Sequence, residues 1–249
     1  MPLLALALLW STTANAYEHK YNDAGALLHW KQPTVDFKLN PSGDHGMNPD
    51  DVEDHFIRAL DEFRIDGNHL SLEYLGRTSS QRIEYADKEN VIYFEDDWDS
   101  NIGADRTLLM LTFAYSTDDG ELVGADIAVN NQHHDWTTSG ADEDRNDFYN
   151  ATSHELGHAV GLAHSDLDEA TMWGSTHAGE TRKRTLSDDD IAGVLSLYGE
   201  PIASGQRWAC SSSGGAPAGP LGLGLTIIAI AGLMRRRRES DSKSEGPHR

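Results

Sequence analysis

Apolar and polar residues alternate from Val35 to Leu39, the two-residue period of a half-buried strand. Asn48-Pro49-Asp50-Asp51 then supplies a cap, a proline and an acidic first turn, which predicts a helix through about Arg64. Within it Val52, Phe56, Ile57, Leu60 and Phe63 recur at helical spacing and form one apolar face. Strand-like runs follow at Leu70 to Leu75, Val91 to Phe94, Leu108 to Tyr115 and Leu122 to Val129. From Asp147 the pattern turns helical as far as Val160, and Gly161 offers a stop. A last helix starts at Ser187, with Asp190 at its third position, shows Ile191, Val194, Leu195 and Tyr198 inward, and ends at Gly199. Strand, helix, several strands, then helices describe a sheet domain of the α+β or α/β kind. No repeat or internal linker divides residues 17–200, so they are expected to form one domain.

The two ends break this pattern. Residues 1–16, MPLLALALLWSTTANA, combine an apolar run of signal-peptide length with the small-x-small triplet Ala14-Asn15-Ala16, though no basic residues precede the run. Signal peptidase is expected to leave Tyr17 first. Residues 201–220 read as a flexible linker, 221–238 as an apolar segment closed by Arg235 to Arg238, and 239–249 as a polar tail. That order predicts transient membrane contact through 221–238, although its apolar part falls short of the roughly 20 residues of a comfortable span. Cys210, the apolar stretch and the arginine block together resemble the C-terminal sorting tails of Gram-negative bacteria, the MYXO-CTERM or GlyGly-CTERM type. The resemblance implies removal by a sorting protease and a place at the cell surface or outside. An ordinary single-pass anchor is the other reading.

Charge narrows the partners. The chain holds 20 Lys+Arg against 41 Asp+Glu, a net of −21; residues 17–200 alone hold 13 against 38, a net of −25. Such a surface repels phosphates and excludes nucleic acid as a partner. The acidic runs Glu95-Asp96-Asp97, Asp142-Glu143-Asp144 and Asp188-Asp189-Asp190 read as solvated faces or helix starts, with structural calcium ligation as the alternative. With Cys210 as the single cysteine, any metal site must be built from histidine and carboxylate.

His154-Glu155-Leu156-Gly157-His158-Ala159-Val160-Gly161-Leu162-Ala163-His164 meets that requirement. On a helix, His154 and His158 share a face and can offer two imidazoles to one metal, with Glu155 beside them. Gly161 allows the backbone to leave the helix, and the turn brings His164 back as a third nitrogen ligand. Three neutral imidazoles around a tetrahedral zinc leave one position for water, the arrangement of a catalytic site. Met172, in Ala170-Thr171-Met172-Trp173-Gly174, completes the longer pattern of ligands plus a Met-turn.

At these residues the sequence resembles the metzincin metallopeptidases, and His164-Ser165 resembles the matrixin branch in particular; Ala125-Asp126-Ile127 through Asn130 resembles the edge strand of bacterial matrixin-like enzymes, and Leu186 to Gly199 their closing helix. The resemblance runs from about Trp30 to Gly199. It implies an α+β catalytic domain: a twisted mixed sheet with one antiparallel edge strand, an active-site helix and a C-terminal helix. Leu122 to Val129 would be that edge strand and would bind an extended peptide, with Gly124, Ala125, Asp126, Ile127 and Trp173 as substrate-binding residues. Met172 would form the floor under the zinc. Trp173 departs from the tyrosine common there, and a structural-zinc histidine pattern is not recognisable, since His133-His134 reads as a polar loop.

The expected protein is a secreted or cell-surface zinc endopeptidase that hydrolyses peptide bonds in proteins, with Glu155 as general base. The alternative is a secreted zinc-binding module, catalytically weak or inactive, that recognises proteins through its edge strand. An intact Glu155 favours the enzyme, because holding zinc requires only the histidines.

Overall fold

The computed structural model describes residues 16–43, 46–81, 83 and 89–199, together with the backbone of 226–230 and 235–236. Residues 1–15 of the expected signal peptide, the linker 201–220 and the tail 239–249 lie outside the described residues.

The elements run β1 (Thr34–Asn40), α1 (Pro49–Asp61), β2 (Ser71–Arg77), β3 (Val91–Glu95), α2 (Trp98–Asn101), β4 (Met110–Ser116) and β5 (Leu122–Asn130). The short strands β6 (Trp136–Thr137) and β7 (Asn146–Asp147) lead into α3 (Phe148–Ala159), followed by β8 (Ser175–Thr176) and α4 (Asp188–Tyr198). Beyond these lie β9 (Thr226–Ile230) and β10 (Arg235–Arg236). Asn48 caps α1 by accepting from Asp50 N–H, as its sequence requires. Val52, Phe56, Leu60 and Phe63 are buried, whereas Ile57 is only half-buried and Ala59 takes a place in the core.

The sheet order is β2-β1-β3-β5-β4, with β9 outside β4. β1, β2, β3 and β5 run parallel; β4 is antiparallel to β5, and β9 to β4. α1 and α3 cover one face, where Phe37, Leu39, Ile92, Phe94, Phe56 and Leu156 meet in the main core. Val91, Tyr93, Trp98, Leu108, Leu111 and Ala128 form a second cluster on the other side. This is the expected α+β architecture. Among the described residues no helix is long and apolar enough to cross a membrane.

One expectation is corrected. β5 is not the outer strand: it pairs with β3 through Ile92↔Ile127 to Glu95↔Asn130, and with β4 through Met110↔Val129 to Ser116↔Leu122. With both sides paired it has no free edge for a peptide. The tight connection from Ser116 to Leu122 makes β4 and β5 antiparallel neighbours, and parallel pairing of β5 with β3 places β4 outside β5, between it and β9. Gly124, Ala125, Asp126 and Ile127 accordingly hold the sheet together. Asp126 accepts from Val91 N–H at 3.0 Å and from Tyr115 O–H at 3.2 Å, and Ala125 N–H donates to Asn90 Oδ1 at 2.7 Å. A Cβ on Gly124 would stand 3.0 Å from the Tyr115 ring.

Candidate metal centre

α3 starts at Asp147, whose carboxylate accepts from Asn150 N–H at 2.8 Å and is held in turn by Arg184. Every residue of the helix is buried, so its polar side chains require partners inside the protein. At the far end Trp30 Nε1–H donates to Ala159 C=O at 2.9 Å and Tyr198 O–H to Val160 C=O at 2.6 Å, satisfying carbonyls the helix leaves open. Gly161 follows at φ +100, and a Cβ there would lie 2.5 Å from Leu28 C=O, so glycine is required twice over. The turn it permits brings back His164.

His154, His158 and His164 converge, with one ligand nitrogen of each within 4.8 Å of the others. His154 Nδ1 lies 2.6 Å from Thr171 C=O and His158 Nδ1 lies 2.9 Å from Leu162 C=O. Each Nδ1 therefore carries the proton and donates, which leaves the Nε2 lone pair free. Nε2 of His158 and His164 approach to 3.2 Å, while His154 Nε2 is buried without a hydrogen-bond partner. Burial drives His154 and His158 well below the usual histidine range and His164 down to about 4. Three neutral imidazoles with inward lone pairs, one of them orphaned, fit a zinc ion and leave room for a fourth ligand. Among the described residues no other group of three or more such ligands comes together. His133, for one, pairs with Asp99 at 2.9 Å.

Glu155 is fully buried, and burial raises its carboxyl to about 7. Thr112 of β4 donates to Oε2 at 2.5 Å, while Oε1 has no partner. Met172 lies beneath: a Cβ on Gly157, between the two helical histidines, would stand 2.2 Å from its Sδ. The Met-turn is pinned by Asp190, which accepts from Thr171 N–H at 2.7 Å and Met172 N–H at 3.0 Å. Gly174 packs on the His164 ring, where a Cβ would meet Nδ1 at 3.0 Å. Trp173 is half-buried and faces a groove of about 990 Å³.

Sequence reasoning missed three residues that complete this site. Asp190 reads as a capping residue, which it also is, and nothing local marks its bonds to the Met-turn. Lys183 is fully buried, and its ammonium donates to Trp173 C=O and, at 2.9 Å, to Ser175 C=O. Lys20 reaches the site because its N–H bonds to Gly161 C=O at 2.9 Å; burial pulls its ammonium down to about 7, against the attraction of Glu155. An isolated lysine in a polar stretch gives no such signal.

Residues 29–199 match the matrixin family, Peptidase M10. Among curated proteins, matrix metalloproteinase-16 of Homo sapiens is 39% identical over 66 residues, covering 26% of this chain and 11% of that protein. Metalloendoproteinase 1-MMP of Arabidopsis thaliana is 43% identical over 60 residues, 24% of this chain and 16% of its own length. Stromelysin-1 of Equus caballus is 49% identical over 59 residues, 23% of this chain and 12% of its own. The aligned stretch thus spans under a fifth of each relative. The family match covers most of this chain and includes the three histidines, Glu155, Met172 and Asp190; the chain belongs to the matrixin family.

Proposed function

We propose that the protein is a secreted or surface-exposed zinc endopeptidase of a Gram-negative bacterium, with proteins or peptides as substrates. The observation that carries this reading is Glu155: a buried carboxyl with one free oxygen, one residue from an orphaned His154 nitrogen. His154, His158 and His164 would hold a zinc ion, which when bound would supply Lewis-acid polarisation of the scissile carbonyl and acidify its water. Glu155 takes the proton from the attacking water and returns it to the leaving amine nitrogen. Thr112 fixes the carboxylate through Oε2 and keeps Oε1 for the proton. The substrate backbone adds as a strand to the outer side of β4, the role that the family resemblance implied for β5. Trp173 and the Lys183-held segment after Met172 form the opposing wall.

Residues 1–16 support export through signal peptidase, and the order of 201–249 supports a tail that a sorting protease removes. Mass spectrometry of the exported protein should find nothing after a point near Cys210.

The test of the enzyme is a pair of substitutions. Glu155→Ala keeps all three ligands, so zinc stays near one equivalent while turnover of a quenched peptide falls by about 10²- to 10⁴-fold. His158→Ala loses zinc and turnover together. More than a tenth of wild-type turnover in Glu155→Ala would remove Glu155 from its role. Cleavage of casein that survives a chelator would remove the metal.

A further inference from the structure

β9 and β10 lie outside the residues matched to the family, yet both meet the borders of the histidine site. β9 runs antiparallel along β4 from Thr112↔Ile230 to Ser116↔Thr226. β10 runs parallel to β8, with Arg235↔Ser175 and Arg236↔Thr176. Thr112, opposite Ile230, is the residue that holds Glu155. Ser175, opposite Arg235, follows Gly174, which packs on the His164 ring. The two described pieces of the C-terminal chain therefore border the site on two sides, Thr226–Ile230 next to the strand that holds Glu155 and Arg235–Arg236 next to the segment that packs on His164.

An extended peptide that pairs with β4 on one side of the histidines and with β8 on the other is what a substrate would have to become. We infer that the chain's own C-terminal segment, through Thr226–Ile230 and Arg235–Arg236, is the resident occupant of its peptide cleft and holds the enzyme latent. The inference rests on the endopeptidase reading for what the cleft does. Charge agrees with it. The groove at Ser175 and Thr176 is also lined by Asp166, Asp168, Glu169 and Glu180 against Arg182, and Arg235 to Arg238 form one basic block. Tethering adds to the pairing, because an attached segment competes at millimolar effective concentration where a free peptide of equal affinity would not. Covering β4 also hides an exposed sheet edge. Removal of the tail would then free the edge and start the activity.

The test uses the full chain and its Ile228→Pro variant, since proline removes an N–H from the pairing and is poorly tolerated inside a sheet. Hydrogen exchange over residues 110–116 is read first. The wild type should protect alternate β4 amides at least about tenfold more than the variant, while β3 and β5 exchange alike in both. Turnover of a quenched peptide should rise at least about tenfold in the variant, and a synthetic peptide of residues 224–238 should restore both protection and inhibition. Arg235→Glu with Arg236→Glu attacks the other border and should raise turnover as well, which keeps the test open if the proline disturbs the domain. Equal β4 protection in wild type and Ile228→Pro overturns the occupancy, whatever the activity. Protection lost without a gain in turnover, in chains that do cleave, overturns latency. A protection difference in chains that never cleave leaves the occupancy standing and defeats the endopeptidase reading instead.

Discussion

Asp190 and Asp50 are the same residue in opposite surroundings. Asp190 is fully buried and accepts from the N–H groups of Thr171, Met172 and Ser187 at 2.7, 3.0 and 2.9 Å, and from the Ser187 hydroxyl at 2.6 Å. Asp50 is 81% exposed and pairs with Arg77 in water; Asp54 and Asp119 do the same with Arg58 and Lys31. Inside, each bond is strengthened by the low dielectric, and a missing partner leaves a donor stranded. Outside, water replaces whatever is lost and salt screens the rest. The chain carries many acids, but a few buried ones hold the site. Asp190 pins the Met-turn to α4, Asp147 starts α3, and Asp189 ties Ser165, just after His164, to α4 through a 2.7 Å bond.

The largest effect should therefore come from Asp190→Ala. Four donors lose a charged acceptor, two of them the N–H groups that set Met172 under the histidines. The cost should reach about 3 kcal/mol or more, enough to lower Tm by roughly 8 °C in a domain of this size. Zinc affinity should fall with it. A drop under about 1 kcal/mol in urea unfolding would mean that water reaches these donors and that the buried and exposed acids differ less than their surroundings imply.

Gly157→Ala probes the same floor by steric means. The added Cβ would stand 2.2 Å from Met172 Sδ, so overpacking should cost about 1–3 kcal/mol. Shortening the partner tests the cause: with Met172→Ala already in place, the penalty should shrink by at least about 0.5 kcal/mol in a double-mutant cycle. Additive costs would place the strain elsewhere.

Lys183 is the basic counterpart of Asp190, and here the signature is pH. Burial draws its ammonium down to about 8. An unfolded lysine titrates near 10.4, so between about pH 8 and 10 the unfolded chain binds more protons and wild-type stability gains with rising pH. The gain should be on the order of 1 kcal/mol per pH unit relative to Lys183→Met, which lacks the group. Melting curves from pH 7.5 to 10 measure the difference. A constant gap between the two proteins would show that the ammonium stays charged in the fold.

How far the sequence announces these features depends on where the constraint lies. The histidine helix is legible because His154, His158 and Gly161 act through local geometry, a shared helix face and a backbone conformation other residues resist. The choice of outer strand is not. Leu108 to Tyr115 and Leu122 to Val129 are both apolar runs, and only the parallel pairing of β5 with β3 decides that β4 lies outside. Asp190 hides its second task behind its first, since the capping box accounts for it locally while its partners in the Met-turn are 18 and 19 positions away. Lys183 is masked by its neighbours: it stands between Arg182 and Arg184, and nothing local marks the middle residue of that basic run as the one turned inward.

The smallest effect should belong to the exposed acids taken together, and salt is the probe that isolates them. A net charge of −25 over residues 17–200 makes the fold repel itself at low ionic strength, and at 0.5 M salt the Debye length falls to roughly 4 Å. Tm should rise by a few degrees between dilute buffer and 0.5 M NaCl, less than the loss expected for Asp190→Ala. The cost of Asp190→Ala itself should stay level over that range, because its partners lie where ions do not reach. Both quantities come from one set of melting curves on two proteins. A wild-type Tm indifferent to salt would mean that the surface pairs already offset the repulsion. An Asp190→Ala penalty that shrinks in step with salt would mean that the buried carboxylate is screened like the exposed ones, and the distinction between the two kinds of aspartate would be lost.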